Sequence, residues 1–416
     1  MSKFRLTVGT RALGTLYACL ALSLSAYAPT ALAAEAKDAK EPKCEVTEKF
    51  SEKYKIAAAA AQKTPEPDWA ATLPAVKEAF ALAKKPCEQA AAAQLQRSAA
   101  YSLKNDDEII LAAKQMNSVP GVSDKDKQTN LQLIYQTLIK QKNYDAAIPA
   151  LKDYIAVAGA NAENLDLLAR LYYQQKDCAG ATETIEKIRQ TTPPASEQVL
   201  LMAQDCYYKA NDTARQSSAT EELLYRFPKD SYMIGVLALN QNADERALLN
   251  LYRLAFAKGF LQKQAQIVDY AGLAERAGVA SEAARILEKS AADHWITLDD
   301  KNSKLLATEK RNAADDKKSL PALDKEARAG KSGNKDIAVG YAYFGLEDYA
   351  SAVDSIKRGL TGDRAGDVKR ADDANMVLGI SLARLGKFDE ATAAFTAAKA
   401  DARMKKAAEA WTALMK

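Results

Sequence analysis

Histidine is nearly absent from this chain: His294 is the only one in 416 residues. It has no second imidazole with which to share a metal ion, and its place beside Trp295 near a helix end reads as a partly buried structural residue. Cysteine is scarce too, with five residues, no two of them two to four positions apart, so a zinc-type pair is missing. There is no HExxH, no glycine-rich phosphate loop, no GxSxG elbow and no Cx2C. The carboxylate pairs Asp299-Asp300 and Asp315-Asp316 sit among lysines and read as solvated charge. Catalysis, a bound metal and a cofactor are therefore not expected. Aromatic residues make up 7% against an apolar share of 48%, a balance that suits alanine-rich packing of helix on helix.

The one long apolar stretch is at the N-terminus. Lys3, Arg5 and Arg11 precede a mostly apolar run from Ala12 to Ala28, and Ala31-Leu32-Ala33 fits a cleavage site, so residues 1–33 read as an export leader cut after Ala33. The run is too short and interrupted to favour a membrane span, and no integral membrane segment is expected in the mature chain. Loss of the leader lowers the formal charge from +4 to +1, which leaves no case for nucleic acid or an anionic membrane as partner. A rival cleavage box at Leu16-Tyr17-Ala18-Cys19 would make the protein a lipoprotein. Against it, Tyr17 fits poorly and the residues after Cys19 stay apolar.

Beyond a charged linker at 34–43, the chain reads as helices in pairs. Residues 44–89 form a helical cap broken at Pro65 and Pro67, with Trp69, Leu73, Val76, Phe80 and Leu82 on one apolar face. Repeats are expected over 90–297, beginning with a degenerate unit that turns at Asn105-Asp106-Asp107. Counting 34 residues at a time from Gln128 gives Ile134, Leu168, Met202, Val236 and Tyr270 at one position, and Tyr135, Ala169, Ala203, Leu237 and Ala271 at the next. Turns fall at Lys142-Asn143-Tyr144, Lys176-Asp177 and Gly278-Val279. Residues 298–332 break this rhythm with many charges and read as a degenerate helix pair or a charged, solvated insertion. Repeats resume over 333–400, where Gly379, Ala391 and Ala398 would let two helices touch while Leu378, Leu382, Phe388 and Phe395 fill the seam. A closing helix over 401–416 would cover the last open face with Trp411, Leu414 and Met415. One such helix pair cannot bury its own apolar side, so the pairs must stack.

In a stacked array each unit touches only its neighbours, which selects Cys44–Cys87 and Cys178–Cys206 among the three pairings open to the four mature cysteines. Four buried free thiols are the alternative.

QKNYDAAI at 141–148 and RLGKFDEATAAF at 384–395 resemble the tetratricopeptide repeat, with GLEDYASAV at 345–353 and residues 168–177 nearly as close. Leu131 and Leu165 replace the aromatic expected at the fourth position, and the late proline occurs only at Pro193. The resemblance implies an all-α fold, a right-handed α-solenoid of antiparallel helix pairs, whose inner groove is lined by the first helix of each pair. It places Gln136, Ile139 and Lys140, then Asp166, Arg170, Tyr173 and Gln174, then Gln204, Tyr207 and Tyr208, in that groove; packing of Tyr173 and Tyr207 against the next helix is the alternative. Amides, hydroxyls and tyrosine faces there would suit an extended peptide. Nearer the C-terminus the same positions are apolar (Ile337, Tyr341, Phe344, Met376, Ile380), which fits a docked helix or a tighter superhelix. The Lys/Asn pattern by which some members clamp a C-terminal carboxylate is absent. The function expected is a non-catalytic periplasmic or secreted adaptor holding a protein or peptide of the cell envelope. Binding of cell-wall glycan on Trp69, Trp295 or Trp411 is the alternative.

Overall fold

The computed structural model describes residues 5–6, 44–191 and 194–416. The expected cleavage site after Ala33, Cys19, the linker at 34–43 and Pro193 lie outside them, as does the leader apart from Arg5 and Leu6. Those two residues pair antiparallel with Cys44–Glu45, the only strand contact among the described residues. All other regular structure is helical, in two compact units that meet between Ala195 and Ser196.

The first unit holds α1 (Glu48–Ala61), α2 (Trp69–Leu82), α3 (Pro86–Ser102), α4 (Asp106–Asn117), α5 (Asp124–Lys140), α6 (Tyr144–Ala158), α7 (Ala162–Gln174) and α8 (Cys178–Ile188), each packed on the next. The turn inside a pair is made the same way each time. One residue adopts a left-handed conformation (Lys104, Lys142 and Lys176, φ 54°, 58° and 60°), and the next caps the following helix. Asn105, Asn143 and Asp177 accept the backbone N–H of Glu108, Ala146 and Gly180 at 3.2, 3.3 and 2.9 Å. Ile134, Leu138, Leu151, Leu168 and Leu171 are buried between the pairs, and Phe50, Val76 and Ala92 form a separate core at the N-terminal end. There α3 begins at Pro86, four residues ahead of the repeat boundary expected at 90, and Glu88 is buried within it. Burial raises its carboxyl pKa, but bonds from the backbone N–H of Thr47, Lys84 and Lys85 outweigh that and hold it below the usual range. The Cys44–Cys87 disulfide, with Cα atoms 6.2 Å apart, ties down the same corner.

The second unit contains α9 (Glu197–Lys209), α10 (Thr213–Arg226), α11 (Asp230–Leu239), α12 (Glu245–Ala257), α13 (Gln264–Arg276), α14 (Ala280–Ala292), α15 (Asp300–Ala329), α16 (Gly333–Gly345), α17 (Tyr349–Gly359), α18 (Ala371–Arg384), α19 (Phe388–Lys399) and α20 (Lys405–Leu414). The α18/α19 hairpin follows the sequence closely. Gly386 makes the turn at φ 74°, and a Cβ on Gly379 would lie 2.5 Å from the Phe395 ring, so only glycine permits the approach.

Residues 298–332 are neither a helix pair nor a loop. They form the single 30-residue helix α15, about 45 Å long. Between Asp300 and Ala329 the stretch contains no glycine and no residue with positive φ, and the helix runs on through its one proline, Pro321. By packing against α14 on one side and α16 on the other, α15 takes the place of a second helix, and α14, α16 and α18 consequently lie side by side.

Candidate functional site

The first helices of the pairs present their open faces in register, counted back from each left-handed turn residue. In the first unit the residues ten, six and three places before it are Gln94, Ser98 and Tyr101 on α3, Gln132, Gln136 and Ile139 on α5, and Asp166, Arg170 and Tyr173 on α7. Gln132 and Gln136 are exposed, Tyr101 is 43% exposed, and Ile139 and Tyr173 are half-buried. The result is an amide- and hydroxyl-bearing surface with an aromatic and aliphatic edge. Its charges are largely neutralised within the chain. Arg170 donates to both carboxylate oxygens of Asp166 at 3.2 and 3.0 Å, and Lys140 pairs with Asp106 at 2.8 Å.

Of the residues expected in the groove from α9, Tyr207 is buried, Gln204 is half-buried and Tyr208 is exposed. The turn residue after α9 is Asn211, 35 residues beyond Lys176, so this helix is one residue out of step with a 34-residue count. That slip turns α9 through about 100°. Tyr207, expected to face a ligand, is buried at 3% exposure, and Tyr208 is 66% exposed. Gln204 is half-buried, and its amide donates to Thr220 on α10 at 2.7 Å. Sequence counting alone could have found the slip from the spacing of the Asp177 and Asp212 caps, which is also 35.

On α16 and α18 of the second unit the corresponding face is filled by its own chain. Ile337, Tyr341 and Phe344 on α16, and Met376 and Ile380 on α18, occupy the same positions before Glu347 (φ 63°) and Gly386. All but Tyr341 are fully buried. Helix α12 lies against them and is itself buried nearly all round, from Ala247 through Ala255. It packs on α18 and α20, and its side chains reach α14 and α16. Arg253 donates to Glu282 of α14 from Nε at 2.8 Å and Nη2 at 2.6 Å, and its guanidinium lies 4.7 Å above the Phe344 ring. Asn250 donates to Asp373 of α18 at 3.0 Å, and the Tyr341 hydroxyl donates to the same carboxylate at 2.7 Å. From α20, Trp411 Nε1 donates to the Asn250 carbonyl at 2.8 Å, while Lys406 pairs with Glu221 of α10 at 2.9 Å. The expected closing helix therefore seats against α10 and α12, more than 150 residues earlier in the chain.

Within this buried cluster Arg253 and Glu282 form a hydrogen-bonded ion pair. Burial raises the Glu282 carboxyl pKa, but the Arg253 charge and the bonds from Arg253 and Tyr270 prevail and leave it below its ordinary value. Burial pushes the Tyr270 and Tyr341 phenols well above theirs, so both stay protonated donors. The arrangement ties α12 to α14, α18 and α20. Sequence reasoning missed it because Asn250, Arg253 and Glu282 look like surface residues until the chain brings them together.

The remaining singled-out residues are scattered. Trp411 is buried and stacks on Phe395 with ring centroids 6.0 Å apart, whereas Trp69 and Trp295 are half-buried, Trp69 in the first unit and Trp295 in the second. His294 is exposed, not partly buried, because it is the left-handed residue (φ 61°) ending the turn after α14. Among the described residues no helix is long and apolar enough to cross a membrane.

Residues 138–204, from the end of α5 through α9, match the family model of the tetratricopeptide repeat. No curated protein matches the chain. Among solved structures it is similar to the Naa15/Naa10 assembly bound to HypK-THB, with 15% identity over 83% of this chain and a TM-score of 0.29. It spans 63% of the length of that chain. A tetratricopeptide repeat protein from Parabacteroides merdae is 13% identical over 64% of this chain and all of its own, with a TM-score of 0.27. The tetratricopeptide repeat domain of P58(IPK) is 14% identical over 88% of each chain, with a TM-score of 0.24.

Proposed function

We propose that this chain, a tetratricopeptide repeat protein, is a non-catalytic scaffold that holds an extended segment of a protein partner on the open face of its first unit. The observation that carries the reading is the contrast between two sets of equivalent positions. On α16 and α18 of the second unit they are apolar and covered by α12. In the first they are polar and open, with Gln94, Gln132 and Gln136 able to bond a peptide backbone and Tyr101, Ile139 and Tyr173 able to cover its side chains. Tyrosine supplies such contact at a small cost in conformational freedom.

The partner is assigned to the cell envelope and the protein to the periplasm. The leader-like residues 1–33 support this, as does the Cys44–Cys87 disulfide, a bond that persists in oxidising compartments. The sequence logic that pairs these two cysteines also pairs Cys178 with Cys206. The glycan reading has less support, since Trp411 is committed to α12 and the other two tryptophans are half-buried and belong to different units.

Affinity capture with crosslinking from the periplasm tests the proposal. The wild-type protein should enrich a specific polypeptide that a Gln132→Ala/Gln136→Ala/Tyr173→Ala variant loses. Equal capture by a folded variant would refute the assignment of this face.

A further inference from the structure

Helix α15 carries a feature that neither its packing nor the repeat architecture requires. Lys304, Arg311, Lys318 and Lys325 recur every seven residues, and all four are exposed. The buried residues Asn302, Glu309, Leu320 and Ala327 mark the opposite side, which faces α14 and α16. A seven-residue step returns nearly to the same azimuth of a helix, so the four cations form one outward line about 32 Å long. Between them lie the small exposed residues Ala307, Thr308, Ala314 and Ala322 and one exposed carboxylate, Asp315, against the four cations. None of the four cations takes part in an ion pair among the described residues. Other basic residues of the same helix do, Lys310 with Glu288 and Arg328 with Asp324 and Asp354.

We infer that this face docks an acidic α-helix of a partner protein. The charge fixes the sign of the occupant. The spacing fixes its form, because cations about 10 Å apart in a straight line match carboxylates that recur once per heptad on a second helix. The small residues between the cations let that helix come close, and a slight left-handed supercoil would keep the two lines in register. A β-strand presents the side chains of one face at about 7 Å and about 13 Å, out of step with these cations.

The test titrates the full-length protein with a fluorescent helical peptide of about four heptads carrying glutamate at every seventh position. A control peptide has glutamine there, and a second has the same glutamates with their spacing scrambled. The Glu peptide should bind at least about tenfold more tightly than either control and should weaken steeply with ionic strength. The variant K304Q/R311Q/K318Q/K325Q, with an unchanged circular dichroism spectrum, should lose that advantage. A Gln136→Ala/Tyr173→Ala variant should keep it, which separates this site from the open face of the first unit. Equal binding of the scrambled or the glutamine peptide, or undiminished binding by the quadruple variant, would overturn the inference.

Discussion

Arg253 and Glu282 form a two-pronged ion pair, 2.8 and 2.6 Å long, with both side chains almost wholly out of water. They belong to α12 and α14, which are not consecutive, so the pair fastens the occupant of the second unit's inner face to one of its walls. Removing one partner strands a buried charge. Arg253→Ala should therefore destabilise the unit by roughly 3–5 kcal/mol, while replacing both residues with apolar ones (Arg253→Met with Glu282→Leu) should cost less. Urea unfolding followed by circular dichroism compares them. A single variant no less stable than the double one would contradict the placement of α12.

Acid should act through the same pair. The Glu282 pKa is held below its unfolded value, so the stability it contributes is complete above the range where free glutamates titrate, about pH 4 to 5. That stability is lost as pH falls through the depressed native value. Thermal melts taken from neutral pH downward should show it, and the Arg253→Met/Glu282→Leu protein should fall less steeply. Parallel curves for the two proteins would show that the pair does not titrate in this way.

The fates of Tyr207 and Tyr208 show how far the sequence could be read. Hydrophobic periodicity locates the helices because buried positions such as Ile134, Leu168 and Ala203 are set by local geometry, which repeats. A strict 34-residue count carries no information about a one-residue insertion, and that is enough to bury Tyr207, which the count sets in the groove beside Tyr208. Nor can local pattern reveal that α12, besides packing on its neighbours α11 and α13, also reaches α16, α18 and α20. Asn250 and Asp373 meet across 123 residues, and nothing near either one announces the other. The long α15 was hidden for a different reason: its charges surround it, so its apolar stripe is thin.

Tyr207→Ala should accordingly cost about 3–5 kcal/mol by emptying a packed site, whereas Tyr208→Ala should change stability by less than about 0.5 kcal/mol. Melting temperatures of the two single variants decide this. The reverse order would restore the unshifted register for α9.

Trp411 anchors α20 through its stack on Phe395 and its bond to the Asn250 carbonyl. Trp411→Ala should cost about 3–5 kcal/mol and free the C-terminal segment. Limited proteolysis should then cut first between 400 and 416. A cleavage pattern identical to wild type would mean that α20 is held by something other than this tryptophan.

A photoreactive amino acid placed singly at Gln136, on the open face of α5, and at Ala156, on the second helix α6, tests most directly whether partner capture belongs to the first helices. Irradiation of whole cells should give a defined protein adduct from position 136 and none from 156. Adducts of equal yield from both positions, or from 156 alone, would contradict the account.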